Sequence, residues 1–229
     1  MNAASAPVTP DSRLSGTMLR TVSAVVMMVP ALAAVYFGPP WFTALVLAGA
    51  AVMGWEWSRM CRGDAKWMAA GVFYIAVPAG ILIWLRADAM PGMITILWLF
   101  AVVWSADIGA YISGRLIGGP KLAPRISPKK TWAGFIGGVA CAAVIAGGFA
   151  VYWEESPVSL ALWGTVVAIA SQAGDLFESA VKRHFGIKDS SSLIPGHGGV
   201  LDRVDALVAG AVAIALLKTT LGRSAMPWL

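Results

Sequence analysis

Charged side chains are scarce in this chain of 229 residues, since aspartate, glutamate, lysine and arginine together make up only 13% of it. An ordinary soluble domain contains about 25%. Hydrophobic residues account for 58% of the chain, and the mean hydropathy is +0.73. The shortage of charge argues against a soluble domain and predicts a protein whose solvent is the lipid bilayer.

Cysteine and histidine are also rare, with two of each. Cys61 and Cys141 lie in or beside apolar stretches without the spacing of metal ligands, so we interpret both as small apolar residues. No third nitrogen or thiolate ligand accompanies His184 and His197, which argues against a zinc site. We interpret His184, beside two cations, as facing solvent or lipid headgroups. His197 lies between glycines and close to aspartates, and it is a candidate phosphate contact.

Long apolar runs, by contrast, are abundant. About 20 apolar residues cross the hydrocarbon core of a bilayer, and runs without period-two alternation favour helices over a membrane β-barrel. We therefore predict an all-α fold, a polytopic transmembrane helix bundle of about seven spans, with six or eight spans as alternatives. The predicted spans are residues 21–37, 41–57, 67–85, 93–114, 132–153, 158–178 and 204–221.

The first 20 residues are polar, and we expect residues 1–20 to form a disordered cytosolic lead before an integral membrane catalytic domain over residues 21–229. Of the 17 lysines and arginines, Arg86, Lys218 and Arg223 fall on one side of the seven-span arrangement and the others fall opposite. The positive-inside rule then places the N-terminus and the polar segments in the cytoplasm, at an inner or plasma membrane. The net charge of +5 reflects this topology, so no nucleic-acid partner is predicted.

Two polar segments, residues 104–138 and 171–205, interrupt the apolar pattern on the cytoplasmic side. They carry half of the 12 acidic residues. Asp175, Glu178 and Lys182 have the spacing that places them on one face of a helix. An ionisable group within a membrane helix costs about 2.5–3.5 kcal/mol on insertion scales, which indicates a functional role. The acidic residues are Asp107, Asp175, Glu178, Asp189, Asp202 and Asp205.

The glycine-rich stretch 195–199 directly precedes the last predicted span. Its backbone N–H groups could approach an anion beside a helix N-terminus. Asp202 and Asp205 follow at the start of that span, where a helix-capping role is the alternative interpretation for Asp202. The stretch 127–131 adds hydroxyl groups and two lysines. Carboxylates beside cations and close-approach glycines are the set that phosphate chemistry with Mg²⁺ requires.

These motifs together closely resemble the signature of the phosphatidate cytidylyltransferase family. The resemblance covers roughly residues 100–217, and this chain has Ala133 where the family usually has glutamate. The motifs that carry it are Ser179-x-x-Lys182-Arg183, Lys188-Asp189, Pro195-x-His197-Gly198-Gly199-x-x-Asp202-Arg203-x-Asp205, Asp107-x-x-Ala110-Tyr111-x-x-Gly114-Arg115 and Ile126-Ser127-Pro128-Lys129-Lys130-Thr131.

The resemblance implies that CTP and phosphatidic acid react to form CDP-diacylglycerol and pyrophosphate. The lipid phosphate is already an anion and needs no strong base to attack the α-phosphorus, so positioning and charge neutralisation supply the catalysis. The implied cofactor is Mg²⁺, with Asp175, Asp189, Asp202 and Asp205 as its ligands. The implied catalytic residues are Lys182, Arg183, His197, Asp202 and Asp205. The implied substrate-binding residues are Ser127, Lys130, Ser179, Lys188, Gly198, Gly199 and Arg203.

Two other functions are compatible with parts of the pattern. A CTP-dependent lipid kinase of the polyprenol or phytol type would transfer the γ-phosphoryl group to an alcohol on a similar membrane scaffold. A transporter would have broken helices and ionisable groups near the bilayer midplane, often in inverted repeats. Here the charges gather at cytoplasmic helix ends and no repeat is visible, which favours an enzyme. The resemblance also implies a possible homodimer.

Overall fold

The computed structural model describes residues 10–153, 156–196 and 198–221. Helices dominate it, which confirms the all-α prediction. Two strands, β1 (Lys121–Ala123) and β2 (Ser127–Thr131), lie between the fourth and fifth helices. The helices are α1 (Pro10–Phe37), α2 (Trp41–Cys61), α3 (Ala65–Arg86), α4 (Met90–Leu116), α5 (Trp132–Gly148), α6 (Ala150–Trp153), α7 (Pro157–His184) and α8 (Leu201–Leu221).

By length and composition, three helices in the described ranges could each cross a membrane, namely α3, α4 and α7. The apolar part of α1, residues 21–37, and the whole of α5 are apolar but shorter. Each of the seven stretches predicted as spans coincides with helix, so the helices themselves were predicted. Their number as membrane spans stays a prediction.

Two boundaries differ from the sequence prediction. Helix α1 begins at Pro10, so residues 10–20 are helical although they were expected to belong to a disordered lead. Proline is favoured in the first turn of a helix because its fixed φ is already helical. The stretch 132–153 is divided between α5 and α6, with α5 ending at Gly147 and Gly148, because glycine has a low helix propensity.

The β1–β2 hairpin occupies part of what the sequence presented as a polar loop. The strands pair antiparallel, with Lys121 opposite Thr131 and Ala123 opposite Ser127. The Thr131 hydroxyl accepts a 3.0 Å hydrogen bond from the Gly134 N–H and so caps α5. This hairpin holds the lysines of the 127–131 stretch against the helices.

Close contacts at small residues bring α4, α5, α7 and α8 together. A Cβ atom on Gly138 of α5 would lie 2.6 Å from the Ala106 carbonyl oxygen of α4. A Cβ atom on Gly174 of α7 would lie 3.0 Å from the Asp205 carbonyl oxygen of α8. Such contacts between backbones are typical of membrane helix packing. They draw the ends of these helices that carry the charged residues into one region.

Candidate active site

Asp202, in the first turn of α8, holds the α7–α8 loop closed. Its Oδ2 atom accepts hydrogen bonds from the backbone N–H groups of Ser190 (2.9 Å) and Gly199 (2.8 Å), and from the Ser190 hydroxyl (3.0 Å). Its Oδ1 atom pairs with Lys182 Nζ at 2.5 Å. These donors precede α8, so Asp202 fastens the loop instead of capping the free N–H groups of the helix. Its role as a Mg²⁺ ligand stays a prediction.

Lys182, on α7, pairs with one carboxylate of its own helix and with one of α8. Its Nζ atom lies 2.7 Å from Glu178 Oε2 on α7 and 2.5 Å from Asp202 Oδ1 on α8. Glu178 is fully buried, and Lys182 is 8% exposed. A buried carboxylate needs a counter-charge, and Lys182 supplies one to both. As placed, Lys182 positions Asp202 and Glu178.

Glu56, on α2, holds the start of α8 in place, and the sequence did not reveal this role. It is fully buried, and its carboxylate accepts hydrogen bonds from the backbone N–H groups of Val200 (3.0 Å) and Leu201 (2.8 Å) at the start of α8. It also accepts one from the Ser191 hydroxyl at 2.6 Å. More than 130 residues separate Glu56 from these donors, so no local spacing could have indicated the contact. Glu56 caps α8 and holds the loop before it.

Gly198 and Gly199 of the signature lie in this closed loop and make hydrogen bonds within it. The Gly198 N–H donates to the Ile194 carbonyl (3.2 Å), and the Gly199 N–H donates to Asp202. A Cβ atom on Gly199 would lie 2.5 Å from Glu56 Oε1, so no larger residue fits beside that carboxylate. The two amides predicted to bind phosphate are thus both engaged within the protein. His197, the predicted phosphate contact between them, lies outside the described residues.

A second group of contacts joins the hairpin to α7. Lys130 Nζ, on β2, pairs with Asp175 Oδ2 at 2.5 Å. The Ser179 hydroxyl, one turn further along α7, donates to Asp175 Oδ1 at 3.3 Å. Arg183 donates to the carbonyl groups of Ile126 (3.3 Å) and Ile187 (2.8 Å). These bonds bring together the predicted residues Lys130, Asp175 and Ser179, while Arg183 fastens the hairpin to the end of α7.

Four carboxylates from three helices face the same region. Asp107 on α4 and Asp175 on α7 line the same cavity, and Asp205 on α8 interacts with both Asp175 and Glu178 of α7. Asp205 is 8% exposed, and its Oδ1 atom accepts the Ala206 N–H at 2.8 Å. The spacing of Asp175 and Glu178 on one helical face predicted part of this cluster. The proximity of Asp107, far away in the chain, required the packing of α4 against α5 and α7.

The remaining predicted residues lie around these groups. Lys188 and Asp189 are exposed on the α7–α8 loop, and Arg203 is exposed on the first turn of α8. Ser127 is half-buried at the start of β2. The four predicted metal ligands therefore fall into two sets, Asp189 with Asp202 at the loop and Asp175 with Asp205 in the carboxylate cluster.

A cavity of about 400 Å³ opens beside the cluster, between the hairpin and helices α4, α5 and α7. Its lining includes two carboxylates and three cations, namely Asp107, Asp175, Arg115, Lys129 and Lys130. We call it the hairpin cavity. Its size is within the usual range for small-molecule sites, and its cations could receive a polyanionic ligand beside the carboxylates.

The fold and this site define a helical membrane protein with a charged site suited to phosphate groups. Residues 64–221 match the family model described as the cytidylyltransferase family, and the chain belongs to that family. It is 49% identical over 187 residues to the phosphatidate cytidylyltransferase of Brucella suis, covering 80% of this chain and 67% of the relative.

Two further relatives extend the comparison, and both are phosphatidate cytidylyltransferases. The Brucella abortus protein is 52% identical over 176 residues, or 75% of this chain, which spans 63% of that relative's length. The Rickettsia bellii protein is 37% identical over 209 residues, covering 88% of this chain and 90% of the relative. The family expected from the sequence motifs is thus confirmed.

Proposed function

We propose that this protein is a phosphatidate cytidylyltransferase, which joins CTP and phosphatidic acid into CDP-diacylglycerol and releases pyrophosphate. The family membership and the names of the relatives support this activity. The observation that carries it is the hairpin cavity, where Lys130 and Asp175 place a cation and a carboxylate side by side. We propose that the CTP triphosphate binds there.

Mg²⁺ suits the donor chemistry of this region. Carboxylate oxygens are its preferred protein ligands, and it is usually bound by one or two carboxylates together with substrate phosphates. In the described part of the chain, no three side chains of aspartate, glutamate, histidine or cysteine are arranged to hold a metal ion by themselves, so the proposal requires the substrate phosphates to complete the coordination. Glu178 Oε1 is buried there without a hydrogen-bond partner among the described residues.

We propose that Asp175 and Asp205 hold Mg²⁺, with Asp107 beside them at the cavity wall. The ion would neutralise negative charge on the phosphate oxygens of the nucleotide. Lys130 would then exchange its contact with Asp175 for a contact with a phosphate oxygen, because a bound cation compensates the Asp175 charge. Lys182 keeps Asp202 and Glu178 in place throughout.

The lipid phosphate needs no general base, since it is an anion at neutral pH. Its attack on the α-phosphorus depends on alignment and on neutralising the repulsion between two anions. The cations of the hairpin cavity provide the neutralisation. The closed α7–α8 loop, fastened by Asp202 and Glu56, provides a rigid start of α8 next to the carboxylates.

We further propose that about seven segments span an inner or plasma membrane, with the N-terminus and the site on the cytoplasmic side. The asymmetric distribution of lysine and arginine supports this orientation. CTP then arrives from water, while the acyl chains of phosphatidic acid remain in the bilayer. A homodimer is proposed from the family resemblance.

The reaction is tested with purified protein, phosphatidic acid, Mg²⁺ and CTP labelled at the α-phosphate. Label recovered in the lipid product supports cytidylyl transfer, and unlabelled lipid contradicts it. CTP labelled at the γ-phosphate, offered with polyprenol or phytol, is the parallel assay for a lipid kinase. Asp205→Asn serves as the inactive control in both assays.

A further inference from the structure

A second cavity, of about 420 Å³, lies between α1, α2, α3 and α8. We call it the apolar cavity. Its walls are formed by aliphatic and aromatic residues such as Pro30, Phe42, Leu82 and Leu207, and Arg203 is the charged residue among those that line it in the described part of the chain. A nucleoside triphosphate would lose its hydration there and gain little beyond the Arg203 guanidinium in return, so the chemistry of this cavity differs from that of the hairpin cavity.

Arg203 connects the apolar cavity to the carboxylate cluster. It lies in the first turn of α8, between Asp202 and Asp205 in sequence, and its positive charge attracts Asp107 of the cluster. The α1 wall is also fastened to the signature loop, because the Ser23 hydroxyl donates to the Pro195 carbonyl at 2.9 Å. One end of the apolar cavity therefore adjoins the proposed site of phosphate transfer.

We infer that the apolar cavity binds an acyl chain of the lipid substrate, with Arg203 meeting the lipid phosphate where α8 begins. This assignment rests on the proposed function, because it presumes an anionic glycerolipid as substrate. The apolar walls match a hydrocarbon chain, and the guanidinium matches a phosphate. An acyl chain held in this way sets the position from which the lipid phosphate approaches the nucleotide in the hairpin cavity.

Two glycines on α2 permit a matched test. Gly49 lines the apolar cavity, whereas Gly54, five residues further along, lines a different apolar pocket between α2 and α3. A Cβ atom added at either position meets no atom within 4 Å, so the backbone at both accepts a Cβ atom without a clash. Gly49→Leu fills part of the apolar cavity, and Gly54→Leu makes the same chemical change on the same helix outside it.

The assay measures KM for dioleoyl and dihexanoyl phosphatidic acid in mixed micelles at saturating CTP. Gly49→Leu should raise KM for the dioleoyl lipid by about tenfold, the effect of excluding about two methylene groups from an apolar site. The dihexanoyl lipid and the KM for CTP should respond little, and Gly54→Leu should resemble wild type. An equal rise in KM for the dioleoyl lipid in the two variants would overturn the inference, and so would the same rise in KM for both lipids in Gly49→Leu.

A binding measurement separates this inference from the proposed function. Phosphatidic acid with a photoreactive diazirine on one acyl chain is cross-linked to the wild-type protein, and labelled peptides are identified by mass spectrometry. Label in the parts of α1, α2 and α8 that line the cavity supports the inference, and label elsewhere or in none of these helices overturns it. Absence of CDP-diacylglycerol from the wild-type assay contradicts the proposed function alone, because cross-linking requires no turnover.

Discussion

The carboxylate of Glu56 on α2 caps α8 at Leu201, where the Leu201 N–H donates to Glu56 Oε2 over 2.8 Å. This contact joins a helix outside the family-matched residues 64–221 to the start of the helix that carries the last signature aspartates. The first turn of α8 is thereby held by two carboxylates, Glu56 from a distant helix and Asp202 from its own turn. The geometry of the site depends on both.

Glu56→Ala should destabilise the protein and open the α7–α8 loop. Its removal leaves the part-buried N–H group of Val200 and the buried N–H group of Leu201 without acceptors, which costs about 3 kcal/mol in free energy of unfolding. Thermal unfolding in detergent micelles measures the loss, and limited trypsin digestion at Lys188 on the exposed loop reports the opening. Glu56→Gln, which keeps one carbonyl acceptor, should retain part of the stability.

Asp64 provides the control for this change. It also caps a helix, accepting hydrogen bonds from Lys66 N–H and Trp67 N–H at the start of α3, but it is exposed. Asp64→Ala should cost only about 1 kcal/mol and should leave cleavage at Lys188 unchanged. Similar cleavage in the Glu56 and Asp64 variants would show that Glu56 does not hold the loop.

Lys182→Met should remove activity and lower stability by about 3–5 kcal/mol, since it leaves the buried carboxylates of Glu178 and Asp202 without their counter-charge. Adding Glu178→Gln removes one of these charges and should recover part of the stability without recovering turnover. The measurement is thermal unfolding beside an assay of CDP-diacylglycerol formation. A double variant no more stable than Lys182→Met would contradict the positioning role.

Lys130→Ala should raise KM for CTP by about tenfold or more, the effect of losing one hydrogen bond to a charged group. If Lys130 contacts the nucleotide, the loss of CTP affinity, measured by equilibrium binding without turnover, persists in the Asp175→Asn background, where its carboxylate partner is already neutral. Lys121→Ala, an exposed cation on the neighbouring strand β1, is the control and should leave KM unchanged. A loss of CTP affinity that disappears in the Asp175→Asn background would assign Lys130 only to the ion pair.

Asp205→Asn should weaken divalent-ion binding in the presence of CTP by at least about tenfold, since losing even an outer-shell partner has an effect of that size. Electron paramagnetic resonance of bound Mn²⁺ measures this affinity without requiring turnover. Asp189→Asn, on the exposed loop, should bind Mn²⁺ nearly as wild type does. A larger loss of Mn²⁺ affinity in Asp189→Asn than in Asp205→Asn would place the ion at Asp189 and Asp202 on the loop instead of in the carboxylate cluster.

The local sequence pattern was sufficient to predict most of the helices and part of the charged site. Continuous apolar runs predict helices because only helices satisfy the backbone within lipid when alternation is missing. The spacing of Asp175, Glu178 and Lys182 predicts their shared face, and the structure places them together. The β1–β2 hairpin was not predicted, because five residues rich in lysine and proline have no strand periodicity to detect. The helical start of α1 was missed for a similar reason, since polar residues before an apolar run give no helical signal of their own.

The family and the helical class were determined by the sequence itself, because both are written in composition or in motif spacing, and the sequence also named the candidate charged residues other than Glu56. The tertiary structure decided which of these residues meet. It paired Lys130 with Asp175 and Lys182 with Asp202 across different elements, engaged the Gly198 and Gly199 amides within the loop, and placed Glu56 beneath them. These contacts depend on how close α2, α4, α7 and α8 approach one another. That distance is set by small residues packed between helices, and no spacing along the chain encodes it.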